Sequence, residues 1–380
     1  MDTLPDFSKP SLPGYANDKN AGRIAGKFQE RGDPMDEPVS KILQLGRRAG
    51  MAALLAGLVF VSIVTPAAGE EPPPGQTLVP VGHTVGIKLF ARGVLVVKLA
   101  EGDTPARACG LSEGDVIVRC CGTAVTSTEQ FQSLLQETEG QAAPLEIRRD
   151  GKTLDLTVTA DGGDGKYAIG AWIRDSMAGI GTMTFYDPDS GVFGALGHGV
   201  TDTDTAALMP FSSGSILPST VKAVKRGERG IVGELKGSYD LSVDTGALYA
   251  NTECGVFGKL AEGYQPSASW GPLPAAQSCQ IHEGKATILA NVNGDQVKEY
   301  TVEVTKILGE AQDGRNMLLT VTDPALLETT GGIVQGMSGS PILQDGKIIG
   351  AVTHVLLNEP TKGYGIFIEN MLDAAGITEK

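Results

Sequence analysis

Glycine punctuates this chain at the spacing of turns between short strands. It accounts for 51 of 380 residues, about 13% against a usual 7%. The glycines separate runs rich in Val and Ile, with no G-X-Y period, so the excess is not collagen-like. Glycine adopts positive φ at little steric cost, which makes many short strands joined by tight turns the expectation. Length allows two to three units of about 150 residues. The formal charge of -14 excludes a general binder of phosphate backbones, which needs clustered Lys and Arg. Five cysteines are too few for a disulfide scaffold.

Residues 1–48 are polar, rich in Pro, Gly, Asp and Lys, and read as a disordered cytoplasmic arm. From Ala49 to Gly69 no residue is charged; Lys41, Arg47 and Arg48 precede the stretch, and Glu70 and Glu71 follow it. Such a run, rising about 1.5 Å per residue, spans a bilayer core of about 30 Å. The basic side stays cytoplasmic, so everything after Glu70 is expected outside. Residues 49–69 are read first as a retained transmembrane signal anchor. A cleaved signal peptide is the alternative, because Thr65, Ala67, Ala68 and Gly69 resemble a peptidase site. Residues 1–48 carry net +1, which leaves -15 on the remainder.

Residues 79–160 alternate like strands, and the Asp150-Gly151 pair marks a hairpin. The core Gly110-Leu111…Gly114-Asp115-Val116-Ile117 resembles a PDZ domain of the circularly rearranged bacterial protease type. Such domains add an extended peptide to a sheet edge and hold its terminal carboxylate on backbone amides. On that resemblance Val85–Leu89 is the carboxylate loop: Gly86 permits close backbone approach, and Ile87 and Leu89 line the side-chain pocket. Cys120 and Cys121 sit on one strand, where neighbouring side chains diverge, so they are expected as free thiols. No Cys/His spacing suggests zinc. Neither metal nor cofactor is expected.

The chemistry lies in residues 165–380. Gly336-Met337-Ser338-Gly339-Ser340-Pro341 places a serine on a tight turn, with glycines that let backbone amides converge. The amides of Gly336 and Ser338 are candidates for an oxyanion hole. A strand, the Asp345-Gly346 hairpin and a second strand follow. This resembles the nucleophile segment of chymotrypsin-fold proteases, except that Met337 stands where activated digestive enzymes carry an aspartate. Of four histidines, His83 falls in the PDZ-like region, His282 in a polar turn and His354 on the strand after the serine. His198 lies among small residues 140 positions before Ser338, the separation two successive barrels need, and is the candidate base. Spacing favours Asp240 or Asp244 as the acid. Asp323 lies 15 residues before the serine.

Three segments (Ile180–Thr205, Val321–Val355 and Gly363–Leu372) resemble the stage IV sporulation protein B peptidases, serine proteases of endospore-forming bacteria. The resemblance implies a triad of Ser338, His198 and Asp323, with Asp240 or Asp244 as fallback. It also singles out Thr353, on the strand expected to pair with substrate. It implies export into the space between forespore and mother-cell membranes. There the enzyme would cleave itself and a membrane-bound regulator, triggering pro-sigma-K processing. Its PDZ domain would recognise self or peptide C-termini.

The expected fold is therefore mostly β: a transmembrane signal anchor, a PDZ-like domain, then a chymotrypsin-like double β-barrel. Two rivals stand beside it. A quality-control protease–chaperone of the high-temperature-requirement type places its PDZ after the protease, the reverse of the order here. A catalytically inactive PDZ adaptor would not need an intact Ser338 and His198.

Overall fold

The computed structural model describes residues 76–163, 166–309 and 314–377. The expected arm and signal anchor lie outside the described residues. Among the described residues no helix is long and apolar enough to cross a membrane.

The first strands are β1 (Thr77–Pro80) and β2 (Thr84–Leu99). β2 is buried along nearly its whole length, as expected of a strand covered on both faces. Gly93 divides it into two halves. Its φ is +98°, and a Cβ there would lie 2.4 Å from the Ile117 carbonyl oxygen, so only glycine lets the strand turn so close to the next one.

The second half of β2 opens the PDZ region. There follow α1 (Pro105–Ala108), β3 (Val116–Cys120), β4 (Thr123–Ala124) and α2 (Thr128–Glu137). Then come β5 (Ala142–Arg149), β6 (Lys152–Thr159) and a hairpin of β7 (Asp161–Gly163) with β8 (Lys166–Ala168). The sheet order is β2-β3-β5-β6. Ser127 caps α2 by accepting from the Gln130 amide, and the helix buries Phe131 and Leu135 among Val96, Ile117 and Ile147. Asp115 is fully buried. Both its oxygens accept from Arg149 at 2.6 Å, and it also takes the Ser112 amide at 2.8 Å. That engagement offsets the cost of burying the charge. Burial pushes the Cys120 thiol up to about 12, so it is a core side chain with little thiolate character. All five cysteines are free.

β9 (Ala171–Tyr186) returns the chain. Its start pairs with the second half of β2, from Leu99↔Ala171 to Leu95↔Arg174, and its middle with the first half, from Phe90↔Ser176 to Thr84↔Thr182. Next come β10 (Val192–Ala195), β11 (Phe211–Lys225), β12 (Glu234–Tyr239), β13 (Gly246–Thr252) and β14 (Gly255–Leu260). The pairings β2-β9-β10-β14-β13-β11 return to β2 and close a ring. Residues 84–91, expected in the PDZ module, are thus staves of the first barrel. The PDZ region is an excursion between two strands that both belong also to that barrel. The hydrophobic runs of β2 look alike on either side of Gly93, which hid the division.

The second barrel is continuous in sequence. After β15 (Leu273–Pro274), which pairs with β1, come β16 (Gly284–Asn293), β17 (Gln296–Ile307) and β18 (Met317–Val321). Helix α3 (Pro324–Thr330) leads to β19 (Pro341–Gln344), β20 (Lys347–Leu356), β21 (Glu359–Phe367) and α4 (Ile368–Ala375). The barrel closes in the order β16-β17-β18-β21-β20-β19 over a core that includes Val302, Val304, Leu319, Ile342 and Val352.

Candidate active site

The turn that carries Ser338 joins α3 to β19. Gly336 and Gly339 have φ of +96° and +95°, a conformation costly for any side-chain-bearing residue. Between them Met337 is fully buried in the second-barrel core, worth about 1.5–3 kcal/mol of burial. An aspartate there would place an unpaired charge in that core, which accounts for the departure from the digestive-enzyme pattern. The turn is held by the Ser340 amide on the Met337 carbonyl at 2.9 Å and the Gly339 amide on the Val352 carbonyl at 2.7 Å. Among the described residues no partner engages the amides of Gly336 and Ser338. The Ser338 hydroxyl donates to the Thr353 carbonyl at 2.7 Å.

His198 follows β10 by way of Leu196 and Gly197, both in the left-handed region at φ +70° and +68°. A Cβ on Gly197 would lie 3.0 Å from the Cγ2 atoms of both Thr353 and Ile366; the bare glycine lets the base segment lie against β20 and β21. His198 Nδ1 is 2.8 Å from the Gly199 carbonyl oxygen. A carbonyl can only accept, so Nδ1 carries the proton and Nε2 is the free acceptor in the neutral ring. Burial lowers the pKa of His198 from its ordinary value, against the opposing pull of the Gly199 carbonyl. The neutral, proton-accepting form is therefore favoured.

His354 is the neighbour that sequence reasoning left aside as a strand residue. Its ring centroid lies 4.9 Å from that of His198, tilted by 36°. Its position directly after Thr353 was the available signal. Thr353 is buried; its hydroxyl donates to the Gly314 carbonyl at 3.0 Å while its own carbonyl accepts from the Ser338 hydroxyl. The structure thus gathers Ser338, His198, Thr353 and His354 at the junction of the two barrels.

Among the described residues it brings no aspartate to them. Asp323 caps α3, accepting from the amides of Ala325 at 2.9 Å and Leu326 at 3.0 Å, and from Thr301 at 3.3 Å. Asp240 accepts from the Ser242 amide and hydroxyl on an exposed turn, and Asp244 is exposed. Among the described residues no carboxylate contacts His198 or Ser338; the group bonded to His198 is a backbone carbonyl.

The expected carboxylate loop is also displaced. Gly86, Ile87 and Leu89 lie mid-strand, paired with β9 on one side and β11 on the other, and Leu89 is fully buried. A strand paired on both edges has no amides to offer a peptide. The start of β9 differs: Ala171–Arg174 pairs only with β2. Beside it α2 is tied in by Asp175, which accepts from the Thr128 amide at 2.8 Å and hydroxyl at 3.1 Å. Gln136 exchanges two further bonds, at 2.8 and 2.7 Å, with the Tyr167 backbone.

The SpoIVB peptidase S55 family model matches residues 165–372, more than half of the chain. The chain belongs to the SpoIVB peptidase S55 family. It is a serine peptidase, and its residues 75–160 match the PDZ domain family. Among curated proteins none matches. Solved structures with some likeness include the PDZ domain of an SdrC-like protein from Listeria monocytogenes, at 24% identity and TM-score 0.20, covering 22% of this chain and 90% of that one. The active form of the Rv3671c protease from M. tuberculosis aligns at 15% identity and TM-score 0.28, over 53% of this chain and 76% of that one. Its inactive form gives 14% and 0.26, over 52% and 84%. Scores this low carry no mechanistic weight.

Proposed function

We propose that this SpoIVB-family peptidase is a chymotrypsin-like endopeptidase in which Ser338 is the nucleophile and His198 the general base. The observation that carries the reading is the turn at 336–338. Among the described residues the amides of Gly336 and Ser338 have no partner, and the serine hydroxyl bonds Thr353, next to the His354 ring that lies 4.9 Å from His198. In the reaction Ser338 Oγ leaves the Thr353 carbonyl and gives its proton to His198 Nε2 as it attacks the scissile carbonyl. The amides of Gly336 and Ser338 receive the oxyanion, a contribution of about 3–4 kcal/mol per donor. His198 then protonates the leaving amine. The Gly199 carbonyl fixes the ring tautomer.

The family supports a role in sporulation signalling. The enzyme is exported or anchored outside the cytoplasm through residues 49–69. It cleaves itself and a membrane-bound regulator in the space between forespore and mother cell, and so triggers pro-sigma-K processing. Peptide C-termini, its own or a target's, are taken at the free edge of β9 opposite α2, not at residues 85–89. The test is Ser338→Ala in the full-length protein in sporulating cells. Self-cleavage should disappear and pro-sigma-K should remain unprocessed; cleavage persisting at the same bonds refutes the assignment.

One observation favours the second reading, an inactive PDZ adaptor: the serine hydroxyl is donated to Thr353 and not to His198. Labelling with a fluorophosphonate separates the two. An adaptor remains unlabelled, and Ser338→Ala then behaves as wild type.

A further inference from the structure

Thr182, in the middle of β9, is almost completely buried, and its three polar groups reach both halves of the active site. Its amide donates to the Ser338 carbonyl at 3.0 Å. Its hydroxyl donates to the Gly336 carbonyl at 2.7 Å. Its own carbonyl accepts from the Leu196 amide at 3.2 Å, two residues before His198. The contact is close enough to dictate the neighbouring sequence: a Cβ on Gly339 would lie 2.0 Å from the Thr182 carbonyl oxygen and 2.5 Å from the Leu196 nitrogen.

We propose that the Thr182 side chain is a positioning residue for catalysis, holding the peptide planes of the nucleophile turn in register with the base. This rests on Ser338 being the nucleophile. The two carbonyls bound by Thr182 bracket Met337, and the amides left without a partner among the described residues are those of Gly336 and Ser338, the same two residues. Fixing the carbonyls on the Thr182 side fixes the planes that follow each of those amides. The backbone bonds of Thr182 would survive any substitution that keeps the strand. The bond to Gly336 belongs to the side chain alone, so a serine can replace it and a valine cannot. Valine would also leave the Gly336 carbonyl buried without its donor, which favours rotation of that peptide plane.

Two residues along the same strand lies an internal control. Thr184 is fully buried, and its hydroxyl has no partner among the described residues. Converting it to valine removes the same atoms from the same strand without touching the nucleophile turn.

The experiment compares full-length wild type, Thr182→Val, Thr182→Ser, Thr184→Val and Ser338→Ala by the kinetics of fluorophosphonate labelling. In that reaction Ser338 Oγ bonds to phosphorus, fluoride leaves, and the serine proton passes to His198. Thr182→Val should lower the labelling rate constant at saturation by on the order of 10²-fold, the penalty of about 1 Å of misplacement. The half-saturating probe concentration should change less than about threefold, because binding is separate from the chemical step. Thr182→Ser and Thr184→Val should both label within about threefold of wild type. A Thr182→Val rate within threefold of wild type overturns the proposal, as does an equal loss in Thr184→Val. Should Thr182→Val fail to fold, Thr182→Ser decides alone: retained rate supports the proposal, and a loss of about tenfold or more overturns it. Labelling of Ser338→Ala would instead refute the nucleophile itself, a result distinct from all of these.

Discussion

The two barrels are built in opposite ways. The second is a self-contained run, with every strand from β16 to β21 drawn from one stretch of chain. The first borrows β2 and β9, each 16 residues long, from strands that also form the PDZ region. The proposed nucleophile, Ser338, comes from the self-contained barrel and the proposed base, His198, from the shared one. Local sequence therefore suffices to recognise Ser338, whereas the setting of His198 depends on strands brought together from both sides of the PDZ excursion. Arg174, on the PDZ half of β9, is ion-paired with Asp202 and Asp204 in the loop after the base, so the sharing reaches the catalytic end of the first barrel.

The largest test of the division of labour is loss of either group. Ser338→Ala and His198→Ala should each reduce the turnover number by on the order of 10⁶, and the double variant little further, as for residues acting as one unit. Additive losses in a substrate-cleavage assay would mean that the two barrels contribute separate chemistries. A second test concerns Asp323. As a helix cap it is replaceable by asparagine, which caps equally well, so Asp323→Asn should keep wild-type turnover. As a triad acid its loss would cost about 10⁴. Measuring turnover of this one variant returns Asp323 to the triad or retires it.

Sharing of strands makes a thermodynamic prediction. Removing the Asp115 carboxylate with Asp115→Ala should cost about 3 kcal/mol, the lower end for a buried pair because Arg149 stays partly exposed. Since β2 and β9 run through both bodies, the PDZ region and first barrel should melt together, with calorimetric and van't Hoff enthalpies equal for that transition. A separate low-temperature PDZ transition would break the comparison. The smallest expected effect is a shift in pH profile. Burial lowers the His198 pKa from 6.5, and the protonated ring cannot act as base. Activity should therefore be lost as pH falls through a midpoint below 6.5, read from kcat/KM. A midpoint above that value would place a carboxylate, or another source of positive-charge stabilisation, beside the ring.

Much of the catalytic end was legible in residues. Gly336 and Gly339 marked positive-φ positions around a serine. The Asp345-Gly346 hairpin identified the strands after it, and the small residues around His198 signalled close packing. The PDZ core was legible too, because Gly114-Asp115 sits in a short local turn. The peptide loop, placed at Val85–Leu89 by resemblance to PDZ domains, falls on a strand paired on both sides; pairing partners more than 80 residues away do not show in local periodicity. Asp323 was singled out through its family position, but Thr-Asp-Pro is also a helix-start signal, and its carboxylate is spent on the α3 cap and on the Thr301 amide.

Sequence alone thus determined what is local: a β-rich chain of tight turns, a serine on a glycine-bracketed turn, a PDZ-like core around Gly114-Asp115, and the family. These depend on φ/ψ preferences and short-range hydrogen bonds, which a few consecutive residues dictate. Tertiary structure alone decided that β2 and β9 serve two bodies, that His354 lies against His198, and that, among the described residues, the group bonded to His198 is a backbone carbonyl. It also placed Thr182 between nucleophile and base. Each of these is a meeting of residues far apart in the chain, settled by barrel closure and packing.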